Sequence, residues 1–527
     1  MTAPGSIAPG TLKTMLGDGR ELALVDVREQ GTYYRGHLLF ACCIPLSRLE
    51  AMLGDLIPRQ RTRVVLCDGG EGDIAAQAAS LLARFDYRDV SVLEGGVRAW
   101  QEAGFEVFSG VNVPSKAFGE YVEHRYDTPR ITAAELAART AAGEDLVILD
   151  SRPMEEFRNM SIPGGVDCPG AELVYRVFDA APDPKTLVVV NCAGRTRSII
   201  GAQSLINAGI PNRVVALKDG TMGWQLAGLE VATGRTEHAA APTPAGLIKA
   251  KAAAARVGER HGVRSIDHAT LRQLQAEADA RTLYLFDVRT SEEYAAGHLP
   301  GSRHAPGGQL VQATDEFAAT RHARIVLVDD NGVRATMTAS WLRQLGWDEV
   351  FVLQDALSQP LEQGAFRPTL LDLPSMPTVS VTQLATELAR GAGTAILDFA
   401  TSLQYRRRHI PSAYWCMRPR LDAALGRIGA HACVVTSPDG VLAQYCARDI
   451  ARARPDLSVR VLQGGSEAWF AAGLPQESGT QRLTCEPDDV WYKPYEQRES
   501  RQAMQDYLTW EVNLVEQIAR DGDARFR

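Results

Sequence analysis

The sequence has no long apolar run. Stretches such as 187–190 are far too short to cross a bilayer, so no membrane partner is expected. It also lacks an excess of basic charge: 56 Lys and Arg stand against 64 Asp and Glu, a net charge of −8. That balance argues against a nucleic-acid partner, whose phosphates call for a basic face. Nine cysteines, an odd number, are scattered without a CxxC pair or a His/Cys cluster. The pattern fits reduced thiols better than a disulfide framework or a zinc site, so neither a metal nor a cofactor is expected. Met1-Thr2-Ala3-Pro4-Gly5 shows no charged segment leading into an apolar one, so no secretory signal is read there and a cytoplasmic protein is expected.

What is present is ordinary in bulk, with 45% hydrophobic and 23% charged residues. A chain of 527 residues is too long for a single core and suggests three or four domains. Three landmarks then recur four times in the same order. The first is a short apolar strand ending in Asp, at Leu22–Asp26, Leu146–Asp150, Leu283–Asp287 and Ala395–Asp398; in three of them an Arg follows two residues on, at Arg28, Arg152 and Arg289. The second, about 40 residues later, is another apolar strand opening into a small-residue loop at positions 67, 192, 329 and 437. The third is a strand beginning near Ser91, Val215, Phe351 and Arg460, followed by Trp100, Trp224, Pro360 or Trp469. Such a long period means duplicated domains, since solenoid repeats run at about 20–50 residues.

Helical patterns lie between the landmarks. Thr132 and Glu135 have the spacing of a capping box, and 198–208 place Ile199, Ala202, Leu205 and Ile206 on one face, with Gly209 as a stop. Short apolar strands alternating with helices indicate parallel sheets covered on both faces. The expected fold class is therefore α/β: four tandem three-layer α/β/α domains, each with a small parallel sheet. They are placed at 1–112, 126–236, 262–370 and 377–478, with a linker at 237–261 and a partly helical tail at 479–527. The Ala-rich linker is expected to form an exposed helix. In the tail, Trp510, Leu514, Val515 and Ile518 make an amphipathic stripe expected to pack on its own protein.

The chemistry is read from the second loop, Cys192-Ala193-Gly194-Arg195-Thr196-Arg197-Ser198. Cys192 follows an apolar strand, so it stands at the carboxyl end of a parallel sheet, where α/β folds bind ligands. The loop's N–H groups and the helix that follows can cradle an anion, and Arg195 and Arg197 add fixed positive charge. Each feature favours thiolate, which predicts that Cys192 ionises below an ordinary thiol. Aligned without gaps, the first domain puts Cys67 at this position among Asp68, Glu71 and Asp73, whose charge should raise its pKa. Cys67 is thus either a resting thiol or a second active site. The third domain has Asp329 there, whose carboxylate would fill the cradle itself, and the fourth has Ser437, with Leu442 in place of the arginine. Cys168 is a candidate resolving thiol if the fold brings it to Cys192.

Apart from the linker and the tail, the chain resembles tandem rhodanese domains. The resemblance rests on the six-residue loop from Cys192 to Arg197, Asp150-Ser151-Arg152, Glu156-Phe157 and Ile162-Pro163-Gly164-Gly165, and on Glu293-Tyr294 with His298 and Pro300-Gly301 in the third domain. Ser161 stands where the family has His. The resemblance implies a persulfide on Cys192, loaded from thiosulfate or a similar donor and discharged to cyanide or a thiol. The expected partners are thus a small-molecule donor and acceptor, with a protein thiol as an alternative acceptor. Two other classes compete. A Cys-dependent phosphatase or arsenate reductase would put five residues between Cys and Arg, where this loop has four. A non-catalytic sulfur carrier or binding scaffold would suit the three altered domains.

Overall fold

The computed structural model describes residues 5–391, 393–428, 431–497 and 500–527. Four small sheets are built on one plan. In the second domain the strands run in the order Arg130–Ile131, Val214–Leu217, Leu187–Asn191, Leu146–Asp150 and Val166–Asp167, all parallel. Leu187–Asn191 is buried at every position, as a strand covered on both faces must be. The tandem α/β expectation is met. Glu135 donates its N–H to Thr132 Oγ1 at 3.2 Å while Thr132 donates to Glu135 Oε2 at 2.9 Å, closing the capping box. Gly209, at φ +68°, ends helix Thr196–Ala208. Among the described residues no helix is long and apolar enough to cross a membrane.

The domains are less separate than the sequence suggests. Thr320–Arg321, from the third domain, pairs antiparallel with Leu22 and Ala23 of the first sheet. Tyr284 of the third domain donates its hydroxyl to the Leu56 carbonyl of the first at 2.5 Å. The expected exposed linker helix is corrected: Pro244–Arg260 buries Ala250, Ala253, Ala254 and Val257 in an apolar core with Leu173, Val177, Val333 and Met337. Its small alanines let it lie close against both Leu173–Ala180 and Val333–Gln344.

Two helices fall outside the repeat. Val113–Tyr126 occupies the join between the first two domains, and the tail forms Ser500–Asp521, packed upon it. Leu514 and Ile518 enter the core formed by Val113, Ala117 and Phe108, as the amphipathic stripe anticipates. These two helices carry side chains to the second domain's loop.

Candidate active site

Cys192 stands one residue beyond strand Leu187–Asn191. Its carbonyl accepts from Thr221 N at 2.8 Å and Thr221 Oγ1 at 3.0 Å, and Ala193 accepts from Met222 N at 2.9 Å. Gly220, at φ +56°, permits this approach, since a Cβ there would lie 2.4 Å from the Cys192 oxygen. The Asp-x-Arg pair braces the neighbouring strand end: Arg152 Nε and Nη2 donate to Asp150 at 2.8 and 2.7 Å, and Nη2 also reaches the Met160 carbonyl at 2.6 Å. Asn191 Nδ2 completes the brace at 2.7 Å from Asp150 Oδ2. This motif is scaffold.

The two loop arginines do different jobs. Arg195 is spent on carboxylates: it donates to both oxygens of Glu120 at 2.7 Å, to Glu123 at 2.5 Å and to Asp219 at 3.0 Å. It bolts the loop to helix Val113–Tyr126 and leaves little for a substrate, contrary to expectation. Arg197 faces the cavity, donating to Glu156 at 3.1 and 2.8 Å and to Gln309 Oε1 at 3.2 Å. Burial works to raise Glu156, but Arg197, aided by Lys493 and Arg152, holds it down to about 2.

Cys192 itself is only 2% exposed. Burial pushes its thiol up despite Arg197 and hydrogen bonds from Ser198, with Glu511 adding to the rise. The expectation of a depressed pKa is therefore corrected, because desolvation outweighs the cationic loop. Cys192 lines a cavity of about 320 Å³ to which the first three domains, helix Val113–Tyr126 and the tail all contribute. Gln30 comes from the first domain, Gln309 and Glu316 from the third, and Trp491, Lys493 and Glu511 from the tail. Lys116, from helix Val113–Tyr126, lies under the faces of Trp491, Tyr507 and Trp510 at 5.0 to 5.1 Å. None of these wall residues belongs to a repeated landmark. The sole hint was the density of aromatic residues in a tail without a repeat counterpart.

Strand register corrects the gapless alignment of the first loop. Asp26 pairs with Cys67 as Asp150 pairs with Asn191 and Asp398 with Thr436. Val97 N meets the Asp68 carbonyl at 2.8 Å, as Thr221 N meets that of Cys192. Asp68, not Cys67, therefore occupies the position of Cys192, and Cys67 occupies that of Asn191. The Asp68 carboxylate accepts from Gly70 N at 2.8 Å and Ala75 N at 3.2 Å, filling its own cradle. Cys67 is fully buried, and burial, with Asp26 and Asp68 adding, pushes it well above the ordinary thiol range. Glu71 and Asp73 are exposed and take no part in that rise.

Asp329 fills its cradle as anticipated, accepting from Gly332 N at 2.6 Å and Ala335 N at 3.0 Å. Ser437 Oγ accepts from Ala443 N at 3.2 Å. Arg334 is wholly buried between Glu172 of the second domain and Glu293 and Asp330 of the third, at 2.6 to 2.8 Å, and so clamps two domains together. Cys168 is buried in the apolar core with Leu173 and Val177, away from the cavity wall.

The sequence model of the rhodanese-like domain matches residues 8–103, 132–227 and 267–359. The chain belongs to the rhodanese-like domain family. The fourth domain lies outside the matched residues yet repeats the family's strand order. A crystal structure of a thiosulfate sulfurtransferase from Pseudomonas aeruginosa is 48% identical, with 99% of each chain covered and a TM-score of 0.92. A thiosulfate sulfurtransferase of Gallus gallus is 30% identical over 131 residues, 23% of this chain and 44% of that protein. An HTH-type transcriptional regulator of Mycobacterium tuberculosis, Rv0324, is 36% identical over 104 residues, 20% of this chain and 45% of the relative. The chain thus spans less than half the length of these two curated relatives.

Proposed function

We propose that this rhodanese-family chain is a sulfurtransferase that carries sulfane sulfur on Cys192. The supporting observation is that Cys192 alone of the four equivalent positions carries a thiol, and that this residue lines a cavity. The likeness to thiosulfate sulfurtransferases favours thiosulfate as donor. The Cys192 thiolate attacks the outer sulfur of thiosulfate, the S–S bond breaks, and sulfite leaves with the electron pair. A second thiophile then attacks the outer sulfur of the persulfide, and Cys192 leaves as thiolate.

Arg197, Lys116 and Lys493 supply positive charge to a dianionic donor, while Arg195 holds the loop in shape. Because burial raises the Cys192 thiol, loading speeds up as pH climbs past neutrality. The degenerate domains serve as scaffold, since the first and third contribute walls to the second domain's cavity. Intact-mass and peptide mass spectrometry after incubation with thiosulfate tests the reading. One added sulfur on Cys192 is expected; sulfur on another cysteine, or on none, overturns it.

A further inference from the structure

Helix Ser500–Asp521 places Glu511 against the active loop from outside the repeated fold. The residue is 2% exposed. Its Oε1 accepts from Tyr507 Oη at 3.0 Å and from Thr196 Oγ1 at 3.3 Å. Its Oε2 is buried and has no hydrogen-bond donor. That free oxygen lies where Gly194 has no side chain, since a Cβ on Gly194 would stand 3.1 Å from it. A buried carboxylate oxygen without a donor is costly, so its persistence beside a nucleophilic loop calls for a use.

The other carboxyl groups at the loop are committed. Glu156 is held by Arg197, Glu120 and Glu123 by Arg195, and Glu316 accepts from Asn112 at 3.0 Å. We propose that Glu511 is the base that removes the proton from a small thiol acceptor when the Cys192 persulfide is discharged. The inference rests on the persulfide reading above and adds the acceptor's class. A cysteine that is 2% exposed and lines a cavity of about 320 Å³ suits a small thiol rather than a folded protein.

In the step, the acceptor thiol gives its proton to Glu511 and its sulfur attacks the outer sulfur of the protonated persulfide. The bond from Cys192 Sγ to that sulfur breaks, its electron pair stays on Cys192 as thiolate, and the acceptor departs as a hydropersulfide. Glu511 then returns its proton to water. The facing groups tune the carboxyl. Burial raises it and Lys116 opposes, while Glu120 raises it and Tyr507 and Arg195 lower it, leaving it at about 7. Cys192 also faces it from the loop, and Lys116 is itself brought down to about 8, chiefly by burial. The carboxyl can therefore take and release a proton near neutral pH.

The test compares persulfide-loaded full-length protein and Glu511→Gln in single turnovers followed by intact mass. Dithiothreitol is one acceptor; sulfite, which arrives as an anion and needs no base, is the other. Discharge to dithiothreitol should fall on the order of a hundredfold near neutrality, and the rise of its rate centred near the Glu511 pKa should vanish. Thiosulfate loading and discharge to sulfite should become faster, because a negative charge has left the cavity wall. Equal discharge to dithiothreitol at every pH, or slowing of thiol and sulfite discharge alike, overturns the proposal. Wild-type protein that never takes up sulfur brings down the persulfide reading and this one together, whereas wild type that loads isolates the fate of Glu511. Should Glu511→Gln fail to fold, Tyr507→Phe removes a donor that lowers the Glu511 pKa. Its pH limb for thiol discharge should move upward, and an unmoved limb refutes the base.

Discussion

In the second domain the loop after the central strand places a cysteine in the wall of a cavity; in the third, the equivalent N–H groups close on Asp329 and the arginine is buried between Glu172 and Glu293. One backbone shape thus carries a cavity-lining thiol in one copy and an internal staple in the other. A cradle whose anion belongs to its own chain needs no ligand to keep its form. The third domain is then free to act as wall, supplying Gln309 to Arg197, while Gln30 of the first domain accepts from Trp491 N at 3.0 Å.

The strongest break of this comparison is at the sulfur. Cys192→Ser should abolish persulfide formation and turnover with thiosulfate, whereas Cys67→Ser should leave kcat/KM within about twofold. A crippled Cys67 variant would show that the register argument had assigned the wrong residue. Next come the two arginines. Arg197→Ala should lower kcat/KM for thiosulfate about ten- to a hundredfold, the worth of one charge-assisted contact of about 1.5–3 kcal/mol. Arg195→Ala strands the buried Glu120 and Glu123 and should cost about 3–5 kcal/mol in urea unfolding. If Arg195→Ala unfolds at the wild-type midpoint and loses only thiosulfate affinity, Arg195 is a substrate ligand after all.

Removing the internal anion sharpens the other half. Asp329→Ala leaves the Gly332 and Ala335 N–H groups without their acceptor and should destabilise by about 1–3 kcal/mol, measured by denaturant unfolding, with sulfur transfer retained. The smallest effect concerns the strand-end Asp. In the fourth domain Ala400 replaces the arginine, and burial raises Asp398 to about 7. Its folded-state pKa lies above the unfolded one, so its neutral form favours folding at low pH and that stability is lost as pH rises toward 7. Asp398→Asn should therefore stabilise at about pH 8 relative to pH 5, by on the order of 1 kcal/mol. The matching change at Asp150, which is braced by Arg152, should destabilise at both.

The fourfold repeat, the parallel α/β architecture and the position of Cys192 were legible because each rests on local pattern: apolar strands, a capping box and a small-residue loop. The first loop misled because it carries one extra residue, so that Asp68 meets Ala75 where Asp329 meets Ala335, six positions on. Counting from the cysteine slid the alignment by one; only strand pairing reveals it. Arg195 and Arg197 look alike in sequence, and their division of labour depends on Glu120, some seventy residues away. Lys116, Trp491 and Glu511 were invisible to a comparison of repeats because they lie between and after them.

The strand Thr320–Arg321 that edges the first sheet has a consequence in time. It joins Leu22 and Ala23 from roughly three hundred residues further along the chain. At a ribosomal pace of about 5–20 residues per second, the first domain waits between about a quarter of a minute and a minute for its last strand. Throughout that interval Leu22 and Ala23 offer unpaired backbone to any passing partner, including the same segment of a neighbouring nascent chain, while Val25 and Asp26 are already paired with Cys42 and Cys43. The first domain to be synthesised is thus among the last to be finished, and slow translation lengthens the period in which it is exposed to misassembly.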